Sequence, residues 1–491
     1  MNLNLKRNKG MVSASIVCVF FTLMSCAVNP VSGKKQLALM SEQQEIALGA
    51  ESDPQIIAEF GLYDNPEIQQ FIDKHGQEMA AISHRPNLKY QFRILDSPVV
   101  NAFAVPGGYV YFTRGIMAYF NDEAQFAGVL GHEIGHIAAR HSVDQYTKNI
   151  LGQVVLIGGM VVSEDFRAFA EEANTAMQLL FLKYSRDHES QSDQLGVEYS
   201  TKVGYDANEM ADFFKTLKQL SVQPDGSEIP TFLSTHPDPL DRYAKVGEAA
   251  TEWQAKVATP PYKINKDAYL KMVDGIVYGE DPRQGYVENG TFYHPELKFL
   301  YPVPASWELV NSPSQVQMAP ADGKALLLLT LAQGNTLQAA AAKDTADLHL
   351  KVTGSRQVTI NGFQALEVMS KQVSQDPSTG QQSEITVQSV YIQYGKMIYV
   401  FHGVAAPVDF QSYKAAFDKT MYGFKELKDQ AKINVTPERI KVVAVKKSGT
   451  LGQAFNDYGI MTSRHRELGI VNGKDVTDQV GQGDLIKIFT K

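Results

Sequence analysis

His132-Glu133-Ile134-Gly135-His136 sets two histidines at i and i+4 with a glutamate between them. On a helix such histidines project from one face, so two imidazole nitrogens can converge on one Zn²⁺. Glu133 lies roughly a quarter turn away, too far round to ligate beside them. It is well placed to take a proton from a water at the metal. A catalytic zinc site also needs a third protein ligand and an open fourth position. The downstream run Ser185-Arg186-Asp187-His188-Glu189-Ser190-Gln191-Ser192-Asp193 offers both a ligand and its support. Glu189 and Asp193 are i and i+4 on what reads as a second helix. Glu189 can ligate, while Asp193 accepts a hydrogen bond from the far nitrogen of a ligand histidine and so fixes its tautomer. His188 is the rival ligand and His141 a lesser one. His188 and Glu189 point about 100° apart on a helix, so only one can face the metal. Glu189 is favoured because it alone has a carboxylate one turn on.

The elements that must position these groups are legible around them. Asn121-Asp122-Glu123 supplies helix-cap chemistry, with Asp122 and Gln125 spaced as a capping box. Phe126, Leu130, Ile134 and Ile137 fall opposite the histidines, which predicts a helix anchored in a core with its ligands facing a cleft. Gly128, Gly131 and Gly135 line a third side, costing helix propensity but letting another element approach closely. Tyr109 to Phe112 reads as a strand after the turn residues Val105-Pro106-Gly107-Gly108. Thr235-His236-Pro237, followed by Pro239 and Asp241-Arg242, reads as a rigid turn opening a further helix. Arg242 reads either as a binder of carboxylates in the cleft or as a surface charge.

Four ordered blocks resemble one family. They are Asp96 to Tyr111, Gly131 to His136, Arg186 to Asp193, and Ser234-Thr235-His236-Pro237-Asp238-Pro239-Leu240-Asp241-Arg242. Together, from about Gln43 to Val246, they resemble the gluzincin zinc metalloproteases of bacterial membranes and periplasm, the group of HtpX, BepA, LoiP and the CAAX-prenyl proteases. Gln191-Ser192 stands where relatives often carry Glu-Ala. The resemblance implies one Zn²⁺ per chain held by His132, His136 and Glu189, with Glu133 as catalytic base. It implies an edge strand, here Asn101, Ala102, Phe103 and Ala104, that pairs with an extended substrate by backbone hydrogen bonds. It places His236 near the zinc, either stabilising the oxyanion or occupying the open coordination position as a latch.

The rest of the chain bears on where this chemistry happens. Lys6, Arg7 and Lys9 precede an apolar run from Met11 to Met24, too short to span a membrane. It ends in Leu23-Met24-Ser25-Cys26, which resembles a bacterial lipobox. Cleavage there leaves Cys26 to carry lipid; Ala27 after it suggests the outer membrane, and soluble periplasmic secretion is the alternative. The other cysteine, Cys18, lies in the discarded segment, so the mature chain forms no disulfide. Residues 1–25 hold three bases and no acid, so their loss takes the net charge from −8 to −11, which argues against nucleic acid as a partner. The apolar stretch Val154 to Val162 is also too short to span a bilayer and reads as core or as a lid.

The expected class is α+β multidomain. A signal peptide (1–25) precedes a mostly helical zinc protease domain with a small β-sheet (26–255) and a linker (256–293). A β-rich α+β domain follows (294–430), with strands in 325–331, 348–353, 357–360, 365–370, 384–393 and 396–404 and helices in 337–344 and 410–421. Tyr301 to Trp307 and Tyr413 to Phe424 loosely resemble PsbP-like sandwiches. Residues 431–491 form a small α+β module. Val442 to Val445, Thr450-Leu451 and Gly481-Gln482-Gly483-Asp484-Leu485-Ile486-Lys487-Ile488 resemble a LysM module, which implies peptidoglycan as a partner. The function expected is a zinc endopeptidase of the envelope whose substrates, by family analogy, are unfolded or misassembled envelope proteins. The alternatives are a latched, chaperone-like assembly factor or a peptidoglycan-binding scaffold whose zinc is structural.

Overall fold

In the computed structural model the described residues are 25–38, 40–145, 184–221, 231–236, 239–257, 261–375 and 382–491. Residues 1–24 of the leader, with Leu23 and Met24 of the lipobox, and the Val154 to Val162 stretch lie outside them. Strands β1 (Ser25–Val28) and β2 (Lys35–Ala38) pair antiparallel, with Cys26 opposite Leu37. Helix α1 (Glu42–Phe60) starts on a capping box in which Ser41 and Gln44 bond each other's backbone amide. Helix α2 (Pro66–Ala80) has Pro66 at its first turn, where a missing N–H costs nothing.

A three-stranded sheet follows: β3 (Gln91–Leu95), β4 (Ala102–Val105) and β5 (Tyr109–Thr113), in the order β3-β5-β4. The turn between β4 and β5 needs Gly107 and Gly108, at φ +86° and +101°, a region that residues with a Cβ avoid. Helix α3 (Arg114–Tyr119) then leads into α4 (Glu123–Ala138), which carries the two histidines. Asp122 caps α4 by accepting from the Gln125 amide at 2.8 Å. The capping box expected there is displaced by one residue: Gln125 Oε1 accepts from the Asn121 amide, not from that of Asp122. Every residue of α4 from Ala124 to Ala138 is buried, so the helix has no face on an open cleft.

Helix α5 (Arg186–Lys202) crosses α4 at its glycines. A Cβ on Gly131 would stand 3.0 Å from Gly196 Cα, and one on Gly135 would stand 3.0 Å from Leu195 Cβ. A Cβ on Gly128 would overlap Met210 of α6 (Asn208–Ser221) at 2.4 Å. The missing side chains let α5 pack backbone against backbone on the metal-motif helix at Gly131, and let the Met210 side chain of α6 seat against Gly128. Helices α7 (Thr231–Thr235) and α8 (Pro239–Val257) complete this part. Among the described residues no helix is long and apolar enough to cross a membrane.

The stretch 256–293 is expected as a linker; its described part from 261 onward is built into the structure instead. Helix α9 (Lys266–Val273) buries Tyr269 against the core around α4, its hydroxyl donating to the Met117 carbonyl at 2.7 Å. Strands β6 (Tyr286–Glu288) and β7 (Thr291–His294) already belong to the β-rich part, so the boundary falls earlier than residue 294. With β8 (Phe299–Pro302) and β16 (Lys425–Glu426) they form a sheet of four.

A second sheet of seven runs β12-β13-β14-β15-β11-β10-β9, from β9 (Trp307–Asn311), β10 (Gln315–Pro320), β11 (Ala325–Ala332), β12 (Lys351–Ile360), β13 (Phe363–Gln375), β14 (Gln382–Tyr394) and β15 (Met397–Ala405). The strands read at 348–353 and 357–360 are one strand, β12, with an irregularity between Val352 and Gly354. Asn361 and Gly362, both at positive φ, make its hairpin turn. Helices α10 (Leu337–Asp347) and α11 (Phe410–Met421) occupy the positions the sequence predicted.

After the short helix α12 (Gln430–Ile433), the C-terminal module runs strand, helix, helix, strand: β17 (Arg439–Ala444), α13 (Leu451–Asp457), α14 (His465–Val471) and β20 (Leu485–Thr490), with β17 and β20 antiparallel. The short pair β18 (Gly449–Thr450) and β19 (Gln479–Val480) lies between them in the chain. It is no appendage. Ile440, Leu451, Phe455, Leu468, Val471, Ile486 and Phe489 share one continuous core with Phe126 and Leu130 of α4 and Phe213 of α6.

The glycine crossing yields a direct test. Gly131→Val puts three carbons where the Gly196 backbone lies, and overpacking of this kind costs about 1–3 kcal/mol. The melting temperature is expected to fall by several degrees; an unchanged value would mean the helices part without loss.

Candidate metal centre

Four side chains from three segments meet at one point. His132 and His136 come from α4, Glu189 from the first turn of α5, and His236 from the residue after α7. Their ligand atoms all lie within 4.8 Å of one another, and all four residues are buried. His132 Nε2 stands 2.9 Å from His136 Nε2 and 3.2 Å from His236 Nδ1. Glu189 oxygens stand 3.4 Å from His136 Nε2, 3.6 Å from His132 Nε2, and 3.0 and 3.1 Å from His236 Nδ1.

These separations match a ligand shell. Zn–N bonds of about 2.0–2.1 Å in a tetrahedron leave neighbouring ligand atoms roughly 3.3 Å apart. Burial holds His136 well below the usual histidine range, so its ring is neutral and has a lone pair to give. Burial opposes ionisation of Glu189, yet the charges of His236 and Arg242 outweigh it and hold the carboxyl well below the usual carboxylate range. Histidine nitrogen with one carboxylate is the donor set of zinc. The residues present therefore fit that ion.

Around the four stands a second layer of polar groups. Asp193, one turn beyond Glu189, lies with Oδ1 2.9 Å from His132 Nδ1. Arg242 forks onto Asp193 at 2.6 and 2.8 Å and places Nη1 3.0 Å from Glu189 Oε2. Its guanidinium lies over the Phe214 ring, with 6 % of the residue exposed. Arg242 is therefore committed to two carboxylates. The substrate carboxylate and the surface position both considered for it give way to this buried ion pair.

The rival ligands sit behind His136. His141 Nδ1 is 3.1 Å from His136 Nδ1, and its Nε2 is 2.9 Å from Gln191 Oε1. Burial, helped by neighbouring His188, pushes His141 down to about 3. His188 stacks on His141 and faces Asp144 at 3.0 Å. Gln191, a departure from the family pattern, thus serves to hold His141. Tyr184 was not signalled by any periodicity. Its ring centroid is 4.0 Å from that of His136, and its hydroxyl is 2.8 Å from Ser142 Oγ.

Glu133 differs from all of these. It is fully buried, and among the described residues neither carboxylate oxygen has a hydrogen-bond partner. His236 Nε2, 3.7 Å from Glu133 Oε1, is likewise without one. Burial raises the Glu133 pKa, with the histidine charges only partly offsetting it.

The expected substrate strand occupies an edge position. β4 pairs with β5 on one side and is last in the order β3-β5-β4. Asn101, Ala102, Phe103 and Ala104 are nevertheless all buried, and Asn101 Oδ1 has no hydrogen-bond partner. One cover is α7, whose Phe232 amide donates to the Val100 carbonyl at 3.2 Å. The same short helix carries His236 into the ligand cluster.

The sequence model of Peptidase family M48 matches residues 66–250. Mitochondrial metalloendopeptidase OMA1 of Arabidopsis thaliana is 29% identical over 214 residues, covering 42% of this chain and 42% of its own. The beta-barrel assembly-enhancing proteases of Yersinia pestis and Escherichia coli K12 are 25% and 24% identical, over 51% and 49% of this chain and 52% and 50% of their own. The matches span about half the length of these curated relatives. Among solved structures, cyanobacterial PsbP (CyanoP) from Synechocystis covers 28% of this chain and 91% of its own at 11% identity and a TM-score of 0.23, too slight a likeness to argue from. The matched segment holds the histidine pair, the glutamate between them, Glu189 and His236 alike: residues 66–250 are a Peptidase family M48 domain.

Proposed function

We propose that the chain is a zinc-dependent endopeptidase that hydrolyses extended segments of unfolded or misassembled cell-envelope proteins. Glu133 carries this reading. An unpaired buried carboxylate is costly, and a purely structural metal site has no use for one beside its ligands.

His132, His136 and Glu189 would hold the ion. When bound, Zn²⁺ polarises a peptide carbonyl and lowers the pKa of a water toward about 7. Glu133 takes the proton of the attacking water and passes it to the departing amine; its raised pKa makes the uptake easier. Asp193 fixes the far nitrogen of His132, so that Nε2 faces the ion, and Arg242 fixes Asp193. An extended peptide adds to the free edge of β4 through backbone hydrogen bonds, which suits unfolded substrates of varied sequence.

The conformation described is closed. His236 stands where a fourth ligand would, and Phe232 is bonded beside the substrate edge. We read α7 as a latch whose withdrawal frees the fourth position and the strand together, in preference to an oxyanion role for His236. This also favours gated proteolysis, in which the latched protein assists assembly and cuts only when opened. The leader, the lipobox at Cys26 and the relatives named for β-barrel assembly support a periplasmic site at the outer membrane.

Casein digestion by zinc-loaded protein beginning at Ala27 tests the enzyme. Cleavage is expected from the wild type, abolished by chelator and absent from Glu133→Gln; undiminished cutting by the variant would remove Glu133 from the mechanism. His236→Ala should raise kcat/KM by about 5- to 10-fold by removing the competing ligand. A comparable fall would instead assign the imidazole to the oxyanion. For Asp193→Asn, zinc titration calorimetry should show binding weakened about 10–100-fold, and affinity within twofold of wild type would deny Asp193 its supporting role.

A further inference from the structure

Lys487, on the last strand β20, is fully buried in the body of the protein. Its Nζ donates to the carbonyl of Ala118 at 2.8 Å and to that of Phe120 at 2.8 Å. Those carbonyls end α3 and open the turn that runs directly into Asp122, the cap of the metal-motif helix α4. The backbone of Lys487 is gripped as firmly: its amide donates to Asn472 Oδ1 at 2.8 Å, and its carbonyl accepts from Asn472 Nδ2 at 2.9 Å.

Two further contacts from the same module reach the turn. Gly473 lies so close to Asn121 that a Cβ there would stand 2.9 Å from its Nδ2. The Tyr278 hydroxyl joins Tyr119 to Glu467 of α14 at 3.0 Å each way.

We infer that Lys487 is a positioning residue for the metal-motif helix, which makes the C-terminal module part of the catalytic unit. This rests on the peptidase reading above. Packing alone does not call for a lysine here, since an apolar side chain of similar volume fills a core without the desolvation cost. Burial drives the amine toward its neutral form. A neutral amine has two N–H groups, and the two carbonyls take both. The leverage is large. His132 lies ten residues beyond Asp122, about 15 Å along the helix. A tilt of about 4° at the cap then moves the ligand by about 1 Å, a misplacement that can cost about 10²-fold in rate.

The test compares the full mature chain carrying Lys487→Met or Lys487→Gln with wild type, measuring kcat and KM on casein-derived peptide together with the visible spectrum of the cobalt-substituted protein. Methionine, one atom shorter, keeps the apolar stem and loses both donors; glutamine, also one atom shorter, keeps two amide N–H groups for the carbonyls. Expected are a kcat at least tenfold lower for Lys487→Met at unchanged KM, an altered cobalt spectrum, and partial recovery in Lys487→Gln. Folded variants with wild-type kcat and spectrum would overturn the inference and reduce Lys487 to a fold contact. If Lys487→Met does not fold, Lys487→Gln decides by the same two readouts. If wild type itself cuts nothing, the peptidase reading fails, while the cobalt spectra still report whether Lys487 positions the ligands.

Discussion

The backbone contact between Gly131 and Gly196 sets the distance between the two ligand-bearing helices, and the metal centre depends on it. Helix axes lie about 8–10 Å apart depending on the side chains at the contact, and small residues at a crossing favour the short end of that range. At that approach the first turn of α5 delivers Glu189 to the imidazoles of α4, and its second turn delivers Asp193 to the far side of His132. A larger residue at the crossing would push ligand and support away together, because both ride on one rigid helix.

Proximity brings a second constraint, the cost of buried charge. Glu189 and Asp193 are carboxylates out of reach of bulk water, and each alone would be driven to protonate. Arg242 answers both from one guanidinium, which explains why it is buried and why it does not face a substrate. The far end of α4 shows the same device. Glu45 of α1 is buried between Arg85 and Arg140, and Arg85 also donates to the Ile137 carbonyl in the last turn of the helix. Asn29 adds a bond to the Ala139 carbonyl at 3.0 Å. With Lys487 at its opening turn, the metal-motif helix is held at both ends by groups distant in the chain. Such bracing is what keeps ligand atoms within the few tenths of an ångström that catalysis requires.

Rigidity at the ligands contrasts with the single short helix that closes them. α7 has five residues, contributes His236 to the cluster and bonds beside the β4 edge. In the latch reading proposed above, this one small element would open apart from the α4–α5 crossing, so access and metal geometry would be controlled by different parts of the fold. Among the described residues, Glu133 and the His236 Nε2 that faces it are left without a hydrogen bond inside this closure.

Sequence by itself determined the residue types at the centre and the helices that bear them. Spacing of i and i+4 pairs His132 with His136 and Glu189 with Asp193 wherever those helices lie, because helical geometry is local. The glycine triplet likewise announced a close crossing, since small residues on one helical face have little other use. Local pattern could not say which partners arrive. That Arg242 pairs with Asp193, that Gln191 holds His141, that the Tyr184 ring packs against His136, and that the β4 edge is covered are consequences of long-range packing. The same holds for the C-terminal segment. Its short apolar runs predicted a separate module, whereas its apolar positions complete the peptidase core and bury Lys487 against the turn before α4. A lysine in a strand near the chain end carries no sequence sign of burial. Only the tertiary structure, by closing water out around two backbone carbonyls, decides that it is inside.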